Sequence, residues 1–282
     1  LVALEVSSHA LIQQRVQGCK FKGVVFTNLS IDHLDYHGTM EDYFLAKARL
    51  FTDYQTSYQV LNTSDEYGKR IFAAANKLDK YAYGLDNILS LHSDAQGSEF
   101  HCTTPFGSGT VKARLYGEFN ILNLLAAIYV LCLEGEDFKL VLQACEELLP
   151  VTGRLETVST EPRVIVDYAH SPAALQAALQ ALRQHFNTKI WVLFGCGGDR
   201  DREKRPVMGD IASKYADQVV LTDDNPRHEE PETIINQILA GIKSELRHKV
   251  SVISDRRQAI AFALKHMRAD ELLLLAGKGH EQ

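Results

Sequence analysis

The sequence predicts an α/β protein in two parts. The first is built on a mainly parallel sheet with a small antiparallel sheet attached, and the second is a Rossmann-like, doubly wound domain. Three observations carry this expectation. Short β-branched and aliphatic runs alternate with helix-length amphipathic segments at both ends of the chain, the signature of βαβ units. The stretch Tyr81–Tyr116 breaks that alternation with short alternating runs and the turn-rich Thr104-Pro105-Phe106-Gly107-Ser108-Gly109. Pro150-Val151-Thr152-Gly153 reads as a linker, dividing the 282 residues into 1–150 and 151–282.

In the first part, β-type runs at Val2–Val6, Val24–Phe26 and Tyr58–Leu61 are expected to form strands, the first of them buried. Helical periodicity marks Ala10–Val16 and Met40–Phe51 between them, then Asn120–Leu133 and Phe138–Leu148 after the antiparallel region. In the second part, strands are expected at Arg163–Val166, Ile190–Phe194, Gln218–Leu221, Val250–Ile253 and Leu272–Leu275. Helices are expected at Pro172–Phe186, Lys204–Tyr215, Glu232–Leu246 and Arg256–Met267. Ser171-Pro172 is a common helix start, with serine as cap and proline in the first turn.

Composition narrows the function classes. The net charge is −6 and no basic run stands out, which argues against nucleic acid as a partner. No stretch is long and apolar enough to span a bilayer. Five cysteines without a C-x-x-C pair fit free thiols in a reducing cytosol. The chain starts at Leu1 rather than Met, inside what reads as a strand, and stops directly after another. It therefore reads as a piece cut from within a larger protein.

Polar clusters sit at the ends of the expected strands. Gly195-Cys196-Gly197-Gly198-Asp199-Arg200-Asp201 and Thr222-Asp223-Asp224-Asn225-Pro226-Arg227 follow consecutive strands of one βαβ unit. Both loops then lie at the carboxyl edge, where open α/β sheets bind ligands. The glycines allow close backbone approach to a ligand, and each arginine can fork onto a carboxylate. Glu5-Val6-Ser7-Ser8-His9 and Asp32-His33-Leu34-Asp35-Tyr36-His37 end the first two strands; together they offer hard ligands for Mg²⁺, or, read blandly, helix caps and polar loops. A zinc hydrolase would need an H-E-x-x-H-type helix, which is absent. Lys47 lies in the helix after this loop, where a solvated lysine is the ordinary reading. Tyr116-Gly117-Glu118-Phe119-Asn120 opens a helix, either as a simple turn or as an amide-bearing contact. Asp167-Tyr168-Ala169-His170 ends a strand, where Asp167 could meet a ribose hydroxyl or water and Tyr168 a base, with Arg154 reaching a phosphate. Gly277-Lys278-Gly279 is not a phosphate loop, and G-x-x-x-x-G-K-[ST] is absent from these residues.

Taken together and in this order, Leu4–His9, Asp32–Gly38, Gly195–Asp201 and Asp224–Arg227 resemble the Mur ligase family in its diaminopimelate-adding branch, with similarity along essentially the whole chain. The resemblance implies an ADP-forming acid–amino-acid ligase that joins meso-diaminopimelate to UDP-N-acetylmuramoyl-L-alanyl-D-glutamate in peptidoglycan synthesis. It implies ATP as co-substrate, Mg²⁺ as cofactor, and a cytoplasmic monomer. Glu5, His33 and Lys47 as a carbamate would hold the metal, with Lys47, His33 and Arg154 serving catalysis. Asn120, Arg154, Asp167 and His170 would lie near ATP, and Ser7, Gln13 and Arg15 would hold the muramoyl dipeptide. Arg200, Asp224, Asn225, Pro226, Arg227, Gly277 and Glu281 would form the diaminopimelate pocket. The family's N-terminal uridine-nucleotide domain and phosphate loop are not among these 282 residues, so the piece alone is expected not to ligate. A folylpolyglutamate synthetase-like ligase, a non-catalytic amino-acid-binding module and a Mg²⁺-dependent phosphohydrolase are the rivals.

Overall fold

A computed structural model describes residues 2–75 and 79–279. The chain divides into two compact units: residues 1–92, 99–113 and 119–148 form one, and residues 93–98, 114–118 and 149–282 the other. No helix among the described residues is long and apolar enough to cross a membrane.

The first unit contains α1 (Ser8–Ile12), β1 (Gly23–Phe26), α2 (Leu34–His37), α3 (Met40–Thr52), β2 (Tyr58–Asn62), α4 (Glu66–Ala74) and β3 (Lys80–Tyr83). The three strands form a parallel sheet in the order β1-β2-β3. Its core is Val24, Phe26, Leu29, Tyr43, Phe44, Phe51, Leu61 and Ile71, the apolar faces of the sheet, α3 and α4. α3 starts where Thr39 caps Asp42 N–H, with Glu41 and Asp42 in the first turn complementing the helix dipole. A second sheet follows, β4 (Ile88–Asp94), β5 (Gly97–Thr104) and β6 (Gly107–Ala113), in that order. Two-residue connections allow only antiparallel pairing there. Then come α5 (Glu118–Leu133) and α6 (Phe138–Glu146), the latter packed on β6.

Several expectations change here. Residues 2–6 are not a buried strand: they join no sheet, and Val2 is 93% and Leu4 63% exposed. An apolar run becomes a strand only when a neighbour takes its backbone bonds, and no strand of this sheet does so. The first helix stops at Ile12, because Gln13 takes the cap position and Gln14 turns to φ 55°. Lys80–Tyr83, expected to begin the antiparallel region, joins β2 in parallel instead.

In the second unit, β7 (Glu156–Thr160), β8 (Arg163–Asp167), α7 (Pro172–His185), β9 (Ile190–Phe194), α8 (Lys204–Tyr215), β10 (Gln218–Leu221), α9 (Pro231–Ala240), β11 (Val250–Val252), α10 (Arg256–His266) and β12 (Leu272–Ala276) form a doubly wound domain. The sheet order is β11-β10-β9-β12-β8-β7. All pairs are parallel except β7–β8, an antiparallel edge with an irregularity between Thr157 and Ser159. All five residues of β9 are buried, as helices on both faces require. Trp191 and Leu193 face α10 with Val164, Val220, Leu273, Ala259 and Ala263. Alternation turns Ile190, Val192 and Phe194 to the opposite face, where α8, flanked by α7 and α9, packs against β10. The expected helix Glu232–Leu246 divides at Gly241, whose Cβ position lies 1.8 Å from Pro206 O; a separate 3₁₀ turn, Ser244–Lys249, follows.

β12 inserts between β8 and β9, so the chain, which steps in one direction from β8 to β11, reverses on the crossover from β11 to β12. Because these strands are parallel, the loops after β8, β9, β10 and β12 leave from one edge, the usual ligand edge of such a sheet.

Candidate active site

The first unit gathers one group of the expected residues. Ser7 caps α1 by accepting from Ala10 N–H (3.1 Å). The next residue, Ser8, is buried and its Oγ lies 2.8 Å from His37 Nε2, joining α1 to α2. Lys47 is half-buried and its Nζ donates to Val6 O (3.3 Å). Burial lowers the Lys47 pKa from its ordinary value, and the charge of Glu5 acts in the other direction. Glu5 and Asp32 both add to the upward shift that burial gives Tyr43. Glu5 and Lys47 line one cavity of about 780 Å³ with Thr27 and Asn28. His33, at φ 56°, caps α2, with its backbone N–H on Asp32 Oδ1 (2.9 Å). Its ring is 5.1 Å from that of His9 and 5.9 Å from that of Tyr43, and His33 is not among the residues lining the Glu5–Lys47 cavity.

Among the described residues no three His, Cys, Asp or Glu side chains converge as a metal cluster. The Glu5 carboxylate is a hard oxygen donor of the kind Mg²⁺ takes, and a carbamate on Lys47, as the resemblance implies, would add a second anionic oxygen in the same cavity. Gln13 and Arg15 are exposed beyond α1, with Gln13 Nε2 3.5 Å from Tyr36 Oη. Asn120 is half-buried in the first turn of α5.

The second unit gathers the rest at its ligand edge. Asp167 is only 7% exposed, and its carboxylate accepts Leu155 N–H and Ala169 N–H, each at 2.8 Å. Burial raises its pKa, while those two bonds and the charges of Arg154 and His170 oppose the rise. Asp167 thus clamps the linker end to the β8 loop. The exposed Arg154 lays its guanidinium 4.8 Å over the Tyr168 ring, and His170 stands edge-on to that ring at 4.9 Å. Gly277, at φ 90°, donates to Asp167 O (3.0 Å).

The loops after β9 and β10 are laced together. Gly198 N–H donates to Asn225 O (2.9 Å), and Arg227 Nη1 donates to Gly198 O (2.7 Å). A Cβ at Gly198 would sit 1.8 Å from Pro226 O, and one at Gly195 2.2 Å from Thr222 O. The backbone these two glycines admit is therefore that of the neighbouring loop, where the sequence reading expected a ligand. Lys278 Nζ, 3.4 Å from Asp224 Oδ1, adds the loop after β12. Arg200 and Arg227 are exposed at this edge. Glu281 lies outside the described residues.

The sequence reading missed Arg205, Glu229 and Arg256. Arg256 Nη2 donates to Ala276 O (2.9 Å), holding the end of β12. Arg205 was detectable: it falls three residues before Met208 and seven before Ala212 on the buried stripe of α8, and a charge on such a stripe signals a buried pair.

Loops rich in charge and amide groups at the ligand edge of a doubly wound unit, which follows a smaller parallel-sheet unit, define a two-unit α/β protein. The Mur ligase middle domain matches residues 1–131, and the Mur ligase glutamate ligase domain matches residues 153–279. The chain belongs to the Mur ligase family. It is 46% identical to the UDP-N-acetylmuramoyl-L-alanyl-D-glutamate–2,6-diaminopimelate ligase of Vibrio vulnificus, over 99% of this chain and 58% of that protein. A solved structure of a ligase of the same name aligns with TM-score 0.64 and 38% identity, over 98% of this chain and 58% of that one. Mycobacterium tuberculosis folylpolyglutamate synthase complexed with ADP shares the fold, with TM-score 0.74 at 21% identity, over 91% of this chain and 61% of that one. The chain spans less than two thirds of the length of each of these.

Proposed function

We propose that the protein carrying this chain is an ATP-dependent, ADP-forming amide ligase that adds meso-diaminopimelate to UDP-N-acetylmuramoyl-L-alanyl-D-glutamate, acting as a cytoplasmic monomer in peptidoglycan synthesis. Residues 1–150 serve the acyl substrate and, with Arg154, Asp167 and His170, the nucleotide, and residues 151–282 also serve the incoming amino acid. The observation that carries the reading is the interlocked pair of loops presenting Arg200, Asp224, Asn225, Pro226 and Arg227, in a chain 46% identical to a ligase of that name.

The glutamyl carboxylate of the acyl substrate attacks the γ-phosphate of ATP and releases ADP. An amine of diaminopimelate then attacks the acyl phosphate, and the tetrahedral intermediate collapses to amide and phosphate. The protein's main contribution is positioning, because three substrates must align. Ser7, Gln13 and Arg15 hold the muramoyl dipeptide. Asn120, Asp167 and His170 stand at the nucleotide, while Arg154, steadied over Tyr168, meets phosphate oxygens with a fixed charge. Mg²⁺ held by Glu5, His33 and the Lys47 carbamate would supply charge neutralisation for the phosphates. Arg227 takes the distal carboxylate of diaminopimelate in its fork, with Asn225 beside it; Gly277 and Glu281 complete the pocket.

The test is product analysis with the intact protein, ATP and each candidate acceptor. Amide formation with diaminopimelate is expected. Glutamate addition to a folate would favour the folylpolyglutamate synthetase-like reading, phosphate release without any acceptor the phosphohydrolase, and binding without turnover the amino-acid-binding module.

A further inference from the structure

Arg205, in the first turn of α8, is completely buried. Its guanidinium reaches three separate elements. Nη1 donates to Glu229 Oε2 (2.9 Å) and to Gln237 Oε1 on α9 (2.6 Å). Nη2 donates to Glu229 Oε1 (2.8 Å) and to Gly197 O in the loop after β9 (3.0 Å). Glu229, at the far end of the loop after β10, also accepts Asp199 N–H (2.7 Å) and lies 3.3 Å from Arg202. The pair thus holds the loop after β9 at Gly197 and Asp199, and the loop after β10 at Glu229.

Those are the loops laced by Gly198 and Arg227, with no room for a single added carbon between Gly198 and Pro226. A shift at Glu229 therefore passes directly to Arg227. A buried ion pair is a weak source of stability compared with apolar packing, but its planar fork fixes direction, which apolar contacts do not. With no exposed surface, Arg205 touches no ligand; whatever it does for the reaction it does through the loops.

We propose that Arg205 and Glu229 are positioning residues for the amino-acid acceptor: their buried fork sets the spacing of the two loops that receive diaminopimelate, and so sets its affinity. This rests on the reading of those loops as the acceptor pocket.

The experiment is steady-state kinetics of the intact protein, varying diaminopimelate, ATP and the nucleotide dipeptide in turn, with thermal unfolding alongside. Glu229→Gln leaves one oxygen for Arg205 but turns an amide donor towards Asp199 N–H and the guanidinium. The expected result is a KM for diaminopimelate raised about 10- to 100-fold, with the KM values for ATP and nucleotide dipeptide, and kcat at saturating acceptor, within about threefold of the parent. Gln237→Ala removes one acceptor and no charge, so it remains folded and gives a smaller shift, about threefold, in the same KM alone. Equal changes in all three KM values, or a lowered Tm with the diaminopimelate KM unchanged, overturns the proposal. A parent protein that uses another amino acid overturns the substrate reading; the positioning role is then decided by the same KM split for that amino acid.

Discussion

At the scale of single residues, Lys47 carries the sharpest expectation. Its amine is half-buried, lowered in pKa, and lines the same cavity as Glu5. Lys47→Ala should remove most activity of the intact protein, and short carboxylic acids, standing in for the carbamate, should restore part of it; near-normal turnover without rescue would return Lys47 to the helix surface. Arg227 is expected to select diaminopimelate over lysine, which lacks the distal carboxylate and would leave the guanidinium without its partner. Arg227 is exposed, so loss of this charge-assisted contact costs about 1.5–3 kcal/mol, on the order of tenfold to a hundredfold in discrimination. The ratio of kcat/KM for the two amino acids, in the parent and in Arg227→Ala, checks this; an unchanged preference removes the assignment. Glu229 has a pH signature. Hydrogen bonds from Arg205 and from Asp199 N–H lower its pKa from 4.5 to about 2. A depressed carboxyl stabilises the fold above its unfolded pKa, so this contribution is present above about pH 4.5 and fades as pH falls towards 2. Acid titration of Tm should be shallower across that window in Glu229→Gln than in the parent.

Among the elements, the two interlocked loops are the place to test the fold's tolerance. Gly198→Ala must push its methyl into Pro226 O, which no side-chain motion relieves. Overpacking of this kind costs about 1–3 kcal/mol. It should appear as a lowered Tm together with a raised KM for the acceptor amino acid; a variant with parent-like values for both would mean the loops have slack. The strands of the second unit were legible because β8, β9, β10 and β12 are aliphatic runs buried on both faces and bounded by polar loops. Their end loops, and with them Asp224–Arg227, followed from the parallel arrangement. Residues 2–6 have the same look yet form no strand, since composition cannot reveal whether a partner strand is present. β7 was invisible for the opposite reason: Glu156–Thr160 is polar, and only its pairing with β8 makes it a strand. Asp167 also has a backbone role that its place at a strand end does not reveal, since nothing in its neighbours' identities announces that Leu155 N–H lies within reach.

For the whole molecule, the allegiance of residues 93–98 and 114–118 was not legible in the sequence. His185 explains it. Its Nε2 accepts Gly117 N–H (3.0 Å), so Nδ1 carries the proton and donates to Asp94 O (2.7 Å). Removing the ring leaves two backbone groups unsatisfied, and His185→Ala should lower stability by about 1–3 kcal/mol. Burial also lowers the His185 pKa below 6.5. A histidine depressed in the folded state stabilises above its unfolded pKa and loses that contribution as pH falls below about 6.5. Chemical denaturation at pH 7.5 and 5.5 should show this loss in the parent and not in His185→Ala.

Gly153 and Gly279 have one more consequence. At φ 69°, Gly153 presses so closely on Gly279 that an added Cβ would lie 2.3 Å from its neighbour's Cα. The chain thus passes one point twice, on leaving the linker and again after β12, like a thread caught under its own stitch. Neither pass can shift without the other, so Gly153→Ala, which meets backbone that no side-chain motion relieves, should lower Tm; a variant with parent-like Tm would mean that the two passes move independently.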